Sequence, residues 1–410
     1  MTTERETTPL GFIGPLAGTF AVQTLVSMAM FGVAVIAPVA APAIGVKAEL
    51  VGTFSAIAYG VAMLAGLMTG AFAVRLGAIR ICQLTMIFVL FGVFALTFST
   101  PVAAVASAVM LGLSYGPVNP ASTEILARVT TPRSRPFIFS VKQTGMPAGA
   151  ALAGVVLPVL ILAFDWRIAI SAIGIAAIVV ALAIQPLRHK MDAGHDAPVV
   201  TGLGSVLEPL KLVWESPSLR CLGCVGFVYG GTQVAIATFY VIHLTSVLSL
   251  SLEVAGLIYT ALQVSAIAGR LIWGGIAGRL VPGNRVLVGL GLATPVFALV
   301  AGSFDASWPL WSVAVFSAFL GMTSHGFNGV LFSELTKHAR QDKIGVVAGG
   351  LQFAMFAGVA TLPLIFGLIV TFAQSYFVAY GAFALAVLLT AAYAAVSLPI
   401  LVDDRQSVAS

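Results

Sequence analysis

Twelve times along this chain, about twenty residues pass with scarcely a charge, and that recurrence limits the available folds more than any motif does. A run of roughly 20 apolar residues crosses a hydrocarbon layer of about 30 Å. Backbone polar groups in lipid find no water, so they must be satisfied within helices or a closed barrel. The runs lack the in–out alternation of barrel strands and therefore read as helices. Composition agrees, because only 9% of the 410 residues are charged, against roughly 25% in soluble domains. The expectation is an all-α polytopic membrane protein with twelve transmembrane helices.

The first six spans are expected at Gly14–Ala40, Gly52–Val74, Ile79–Phe98, Val102–Leu126, Ile138–Ala163 and Arg167–Leu187. The second six are expected at Leu219–Val241, Ala255–Leu280, Val286–Gly302, Trp308–Leu331, Ile344–Phe372 and Tyr376–Leu401. Between them lies a polar linker, so the chain divides into a six-helix bundle at 1–187, a linker at 188–217 and a second six-helix bundle at 218–410. Met1–Pro9 is polar, and the run after it is too long for the core of a signal peptide. That run is expected to stay in place as span 1.

The two halves echo each other. Gly70-Ala71-Phe72-Ala73-Val74-Arg75-Leu76 returns as Gly274-Gly275-Ile276-Ala277-Gly278-Arg279-Leu280, each at the basic end of a long apolar run. Glu49-Leu50-Val51-Gly52 is matched by Glu253-Val254-Ala255-Gly256. Ser114-Tyr115-Gly116 and Glu124 are matched by Ser324-His325-Gly326 and Glu334. A membrane chain of two similar halves is the pattern of a carrier whose substrate sits between them.

Basic residues fall between alternate spans. Placing the N-terminus inside puts Arg75, Arg80, Arg128, Arg133, Arg135, Arg188, Lys190, Lys211, Arg220, Arg279, Arg285, Lys337, Arg340 and Lys343 on the inner side. Only Lys47 and Arg167 fall on the outer turns. This asymmetry predicts a multi-pass inner-membrane protein with both termini cytoplasmic. The net charge of +5 thus serves orientation, and no nucleic-acid partner is expected, since no long basic run or basic–aromatic interleaving exists. Cys221 and Cys224 have CxxC spacing but no second ligand pair, so they read as small packing residues. His189 and His195 beside Asp192 and Asp196 read as a solvated linker rather than a metal site. With no Walker loop and no catalytic constellation, neither an enzyme nor a cofactor is expected.

Six plus six spans, a polar central linker and a basic glycine-bearing turn after spans 2 and 8 together resemble the major facilitator superfamily over essentially the whole chain. The resemblance implies two pseudo-symmetric bundles rocking about a midplane site in a monomer. In the family's turn, Gly70, Arg75, Gly77 and Arg80 fit the first copy, but Val74 stands where an acid belongs. Gly274, Arg279 and Arg285 fit the second copy loosely, with Gly278 in the acid's place. The resemblance assigns that acid to latching the inner ends of the helices, so Glu124 and Glu334 become candidates for the role, and Arg128 can pair with Glu124 one turn away. In span 5, Gly145-Met146-Pro147-Ala148-Gly149 looks like a loose form of the glycine–proline motif of facilitator antiporters. Gly145 and Gly149 allow close helix approach, and Pro147 kinks the helix. The arginine motif of proton-driven drug exporters has no counterpart in span 4.

Ionisable groups at membrane depth are functional candidates by default. Arg270 lies two turns before Arg279, and the Gly269-Arg270 step resembles span 8 of monocarboxylate and oxalate/formate carriers, where the arginine meets a carboxylate. A structural arginine that snorkels or pairs with an acid is the alternative. Its counterpart in the first half is Gly66. Lys142 could bind an anion or snorkel to the headgroups. Gln143 and Gln352, Gln23 and Gln233 occupy matched places and, with Gln263, could hold a polar substrate or simply bond between helices. His325 could carry a proton or be satisfied by a neighbour; Asn328 and Tyr229 join the candidate lining. His243 reads as interfacial. The expected function is secondary transport by alternating access of a small organic anion, coupled to a proton or to anion exchange. Two rivals are an exporter of amphipathic compounds and a non-transporting sensor on a carrier fold.

Overall fold

The computed structural model describes residues 11–130, 135–192, 210–339 and 344–398. Among these are twelve helical spans long and apolar enough to cross a membrane. Spans 1 to 4 are Ile13–Ile44, Val51–Leu76, Ala78–Leu96 and Pro101–Val129. Span 5 is Arg135–Gln143 followed by Gly145–Ala163, and span 6 is Trp166–Ala183. Spans 7 to 9 are Pro217–Ser246, Leu252–Ile276 and Gly283–Gly302. Span 10 is Leu310–Ser324 followed by Phe327–His338, and spans 11 and 12 are Ile344–Ala373 and Tyr376–Ser397.

Local chemistry sets several of these starts. Thr100 and Ser216 each accept from a backbone N–H in the first turn and are followed by a proline at the first helical position. Asp165, Ser251 and Ser375 cap spans 6, 8 and 12 in the same way.

The packing repeats the sequence echo. Spans 1 and 5 pack as 7 and 11 do, 2 and 4 as 8 and 10, 3 and 6 as 9 and 12. Across the halves, span 2 meets 11, span 5 meets 8 and span 1 meets 7. Spans 1 and 7 bury 83% and 89% of their most apolar stretch, and no other span exceeds 56%, which puts this pair at the centre.

The close backbone approaches between halves lie at the end away from the basic turns. A Cβ on Gly154 of span 5 or on Gly256 of span 8 would overlap the other's backbone, so the glycines permit contact there. Thr260 Oγ1 donates across that contact to the Ala151 carbonyl at 3.0 Å. Nearby, Gly52 meets the Pro363 carbonyl and the Phe239 ring.

Three expected spans are altered. Span 5 breaks at Thr144, because Pro147 cannot donate one turn back. Span 10 is interrupted at His325 and Gly326, which keep right-handed helical backbone angles but join neither segment. Span 8 ends at Ile276 rather than Leu280, since Gly278 turns the chain at φ 77°. In the linker, Arg188–Met191 forms one helical turn; His195, Asp196 and Glu208 lie outside the described residues.

Candidate functional site

Span 8 presents Tyr259, Gln263 and Arg270 at spacings that share one helical face. Arg270 reaches across the interface, where Nη1 donates to the Gln143 backbone carbonyl at 3.1 Å and Nη2 lies 3.8 Å from the Met146 sulfur. Tyr115 of span 4 and His325 of span 10 are its electrostatic neighbours. No acid forms an ion pair with Arg270 among the described residues.

Among the described residues Arg270 Nε is buried with no hydrogen-bond partner, while two to three turns away on span 8 Gln263 and Tyr259 neighbour each other. Tyr59 of span 2 packs edge-on to Tyr115 with centroids 5.2 Å apart. Buried polar atoms in folded proteins are nearly always paired. An unpaired guanidinium nitrogen at the junction of two halves is chemically able to meet an acceptor on a ligand.

Lys142 sits differently. Its side chain is 3% exposed, and Nζ donates to Gln23 Oε1 at 2.9 Å and Asn119 Oδ1 at 2.6 Å. It ties spans 1, 4 and 5 of one half together. Gln23 also donates to Ser27 at 3.3 Å. The close approach of span 5 to span 1 follows the glycine spacing, since a Cβ on Gly149 would overlap the Thr24 carbonyl. Gln143 contributes its backbone carbonyl, while its side chain is exposed.

In the second half, Gln233 Oε1 accepts from Asn328 Nδ2 at 3.0 Å. The ring Nδ1 of His325 lies 2.9 Å from the Ser324 hydroxyl. Gln352 is half-buried in span 11. Tyr229 does not join this group: its ring packs on Phe327 inside the second half, and its hydroxyl donates weakly to the Leu287 carbonyl at 3.4 Å. His243, near the end of span 7, is fully buried and stacked on Tyr376 at 4.7 Å.

The turn residues make local contacts among the described residues. Glu124 pairs with Arg128 at 2.7 Å, and Arg128 Nη1 also donates to the Met191 carbonyl at 2.6 Å. Glu334 pairs with Lys337 at 2.7 Å and presses against Gly283 at the start of span 9. Glu334 therefore sits at the positive end of a helix dipole. Of Gly70 and Arg75, only the backbone is described. Gly274 and Arg279 are exposed. Gly77 turns at φ 90°. Arg80 Nη1 donates to Gln83 Oε1 at 3.2 Å.

Where the first turn lacks its acid, the linker supplies one. Asp192 accepts from the Ile79 and Arg80 backbone N–H groups at 2.9 and 3.3 Å, capping span 3. Sequence reasoning singled out neither this role of Asp192 nor Asn119. Asn119 stood out only as an amide between Pro117 and Pro120 in an apolar helix, and Asp192 only as one polar linker residue among several.

Solved structures share the architecture at low identity. A bacterial homologue of the human lysosomal transporter Spinster, inward-facing and unoccupied, is 13% identical, with coverage of 93% of this chain and 94% of that one and a TM-score of 0.69. A peptide transporter, POT, in complex with sulfate is 15% identical, covers 95% of each chain and gives a TM-score of 0.75. The nucleoside transporter NupG is 12% identical over 94% of this chain and 100% of its own, also at 0.75. No curated protein sequence matches significantly. The profile described as Major Facilitator Superfamily matches residues 19–363. That match spans both halves and the junction where Arg270 stands, and it agrees with the pairwise repeat in the packing: this chain belongs to the Major Facilitator Superfamily.

Proposed function

We propose that this membrane transporter carries a small organic anion by alternating access, with bundles 1–187 and 218–410 rocking about the Arg270 junction. A co-transported proton or an exchanged anion supplies the driving force. The protein works as a monomer in the inner membrane with both termini cytoplasmic, since that orientation keeps nearly every basic turn inside.

The observation that carries the reading is the under-satisfied guanidinium at the junction. Among the described residues Arg270 Nε has no hydrogen-bond partner, Nη1 holds a single backbone carbonyl, and no acid pairs with the group. A carboxylate fits this need, because it accepts bidentately from a guanidinium and carries the balancing charge. Substrate, coupling and orientation are expectations of this chemistry.

A thermal-shift screen of the purified protein against organic anions, sugars, amino acids and cationic dyes tests the substrate class. Carboxylates are expected to stabilise the wild type and to lose that effect in Arg270→Gln, which stays folded and inserted. Equal stabilisation of the variant sinks the assignment. The amphipathic-export reading draws on a separate feature, a cavity of about 720 Å³ lined by Trp214, Phe227 and Phe353 together with Lys211, Glu215 and Arg220. Stabilisation by dyes, unaffected by Arg270→Gln, selects that reading.

A further inference from the structure

A proline in span 5 leaves the backbone carbonyl that the Arg270 guanidinium holds without its helical donor. Pro147 lies four residues after Gln143, and its nitrogen has no hydrogen for the carbonyl one turn back. The Gln143 carbonyl is thereby released at the Thr144 break, and Arg270 Nη1 takes it from the opposite half at 3.1 Å. The hold is incomplete. Among the described residues Nη2 meets a sulfur, and Nε has no hydrogen-bond partner. A carbonyl offers a single oxygen, whereas a carboxylate offers two in the parallel geometry that suits a guanidinium.

We propose that Pro147 makes the Gln143 carbonyl a stand-in for the substrate's carboxylate, so that the empty carrier is clasped across its halves and an arriving anion unfastens it. The inference rests on the anion site at Arg270. It adds a residue that touches no substrate yet sets affinity and links binding to motion. The link follows because a ligand moves a conformational equilibrium only through contacts that differ between the states. Pro147 is a positioning residue.

Spin labels at Thr123→Cys on span 4 and Thr336→Cys on span 10, both exposed at the basic ends, read the separation of the halves. Cys224→Ser removes the exposed native thiol, and Cys82 and Cys221 are buried. In ligand-free full-length protein, Pro147→Ala gives Gln143 its missing donor and Arg270→Gln removes the cation. Each is expected to lengthen the distance distribution, and the double variant no further than either alone. Pro147→Gly, which also carries an N–H, is expected to match Pro147→Ala. Pro295→Ala, inside span 9, is expected to change nothing.

Freed of its competitor, Arg270 in Pro147→Ala is expected to bind lactate or oxalate roughly tenfold tighter, the scale of one hydrogen bond to a charged group, while maximal uptake falls. Unchanged distances in the single variants, or full addition in the double, overturn the clasp. Wild type that binds either anion with no change in distance overturns the displacement. Wild type that binds neither anion contradicts the anion site itself, and the ligand-free distances then decide the clasp alone.

Discussion

A basic side chain at membrane depth costs about 3 kcal/mol on insertion scales, so its surroundings reveal what offsets the cost. Lys142 is offset by two amide oxygens within its own half. Arg270 is offset by one carbonyl borrowed from the other half. The sequence shows both as isolated charges in apolar runs and cannot separate them, because the difference lies in partners brought together by tertiary packing. Asn119 and Asp192 were missed for the same reason: a polar residue's partner is fixed by the fold and not by its neighbours in the chain. Lys142→Met leaves the Gln23 and Asn119 oxygens buried without this donor, at a cost of about 1–3 kcal/mol. A lower unfolding temperature in detergent with unchanged anion affinity is the expected result. Native stability with weakened anion binding would place the lysine on the substrate instead.

At the scale of elements, the spans themselves were legible because hydrocarbon thickness imposes length and apolarity on each. Their breaks were less so. The proline at 147 announced a kink, but the break appears at Thr144, where the carbonyl that loses its donor sits nearby. The break at His325 and Gly326 had no proline to announce it. Spans 5 and 8 close on each other through Gly154 and Gly256, with no room for a side chain between them. Gly256→Leu is expected to prop open the end away from the basic turns. Labels on exposed Leu50 and Gln374 are expected to separate, and transport is expected to fall well below a tenth of wild type. An unchanged separation would mean that this contact does not close the far end.

For the whole molecule, two halves with matching packing follow from a repeat that survives in the sequence as short echoes. The repeat fixes architecture and leaves specificity open, since specificity depends on where the halves differ: Arg270 in one, Gly66 in the other. The basic turns kept their place, but the missing acid in the first is replaced from outside the repeat by Asp192. The central claim is that a carboxylate meets Arg270 at the junction. Its most direct test is exchange in proteoliposomes loaded with unlabelled lactate or oxalate and diluted into trace labelled anion. Wild type is expected to accumulate label to a saturable level and Arg270→Gln to show only the leak of empty vesicles. Accumulation by Arg270→Gln at the wild-type rate, with the same concentration dependence, would contradict the account.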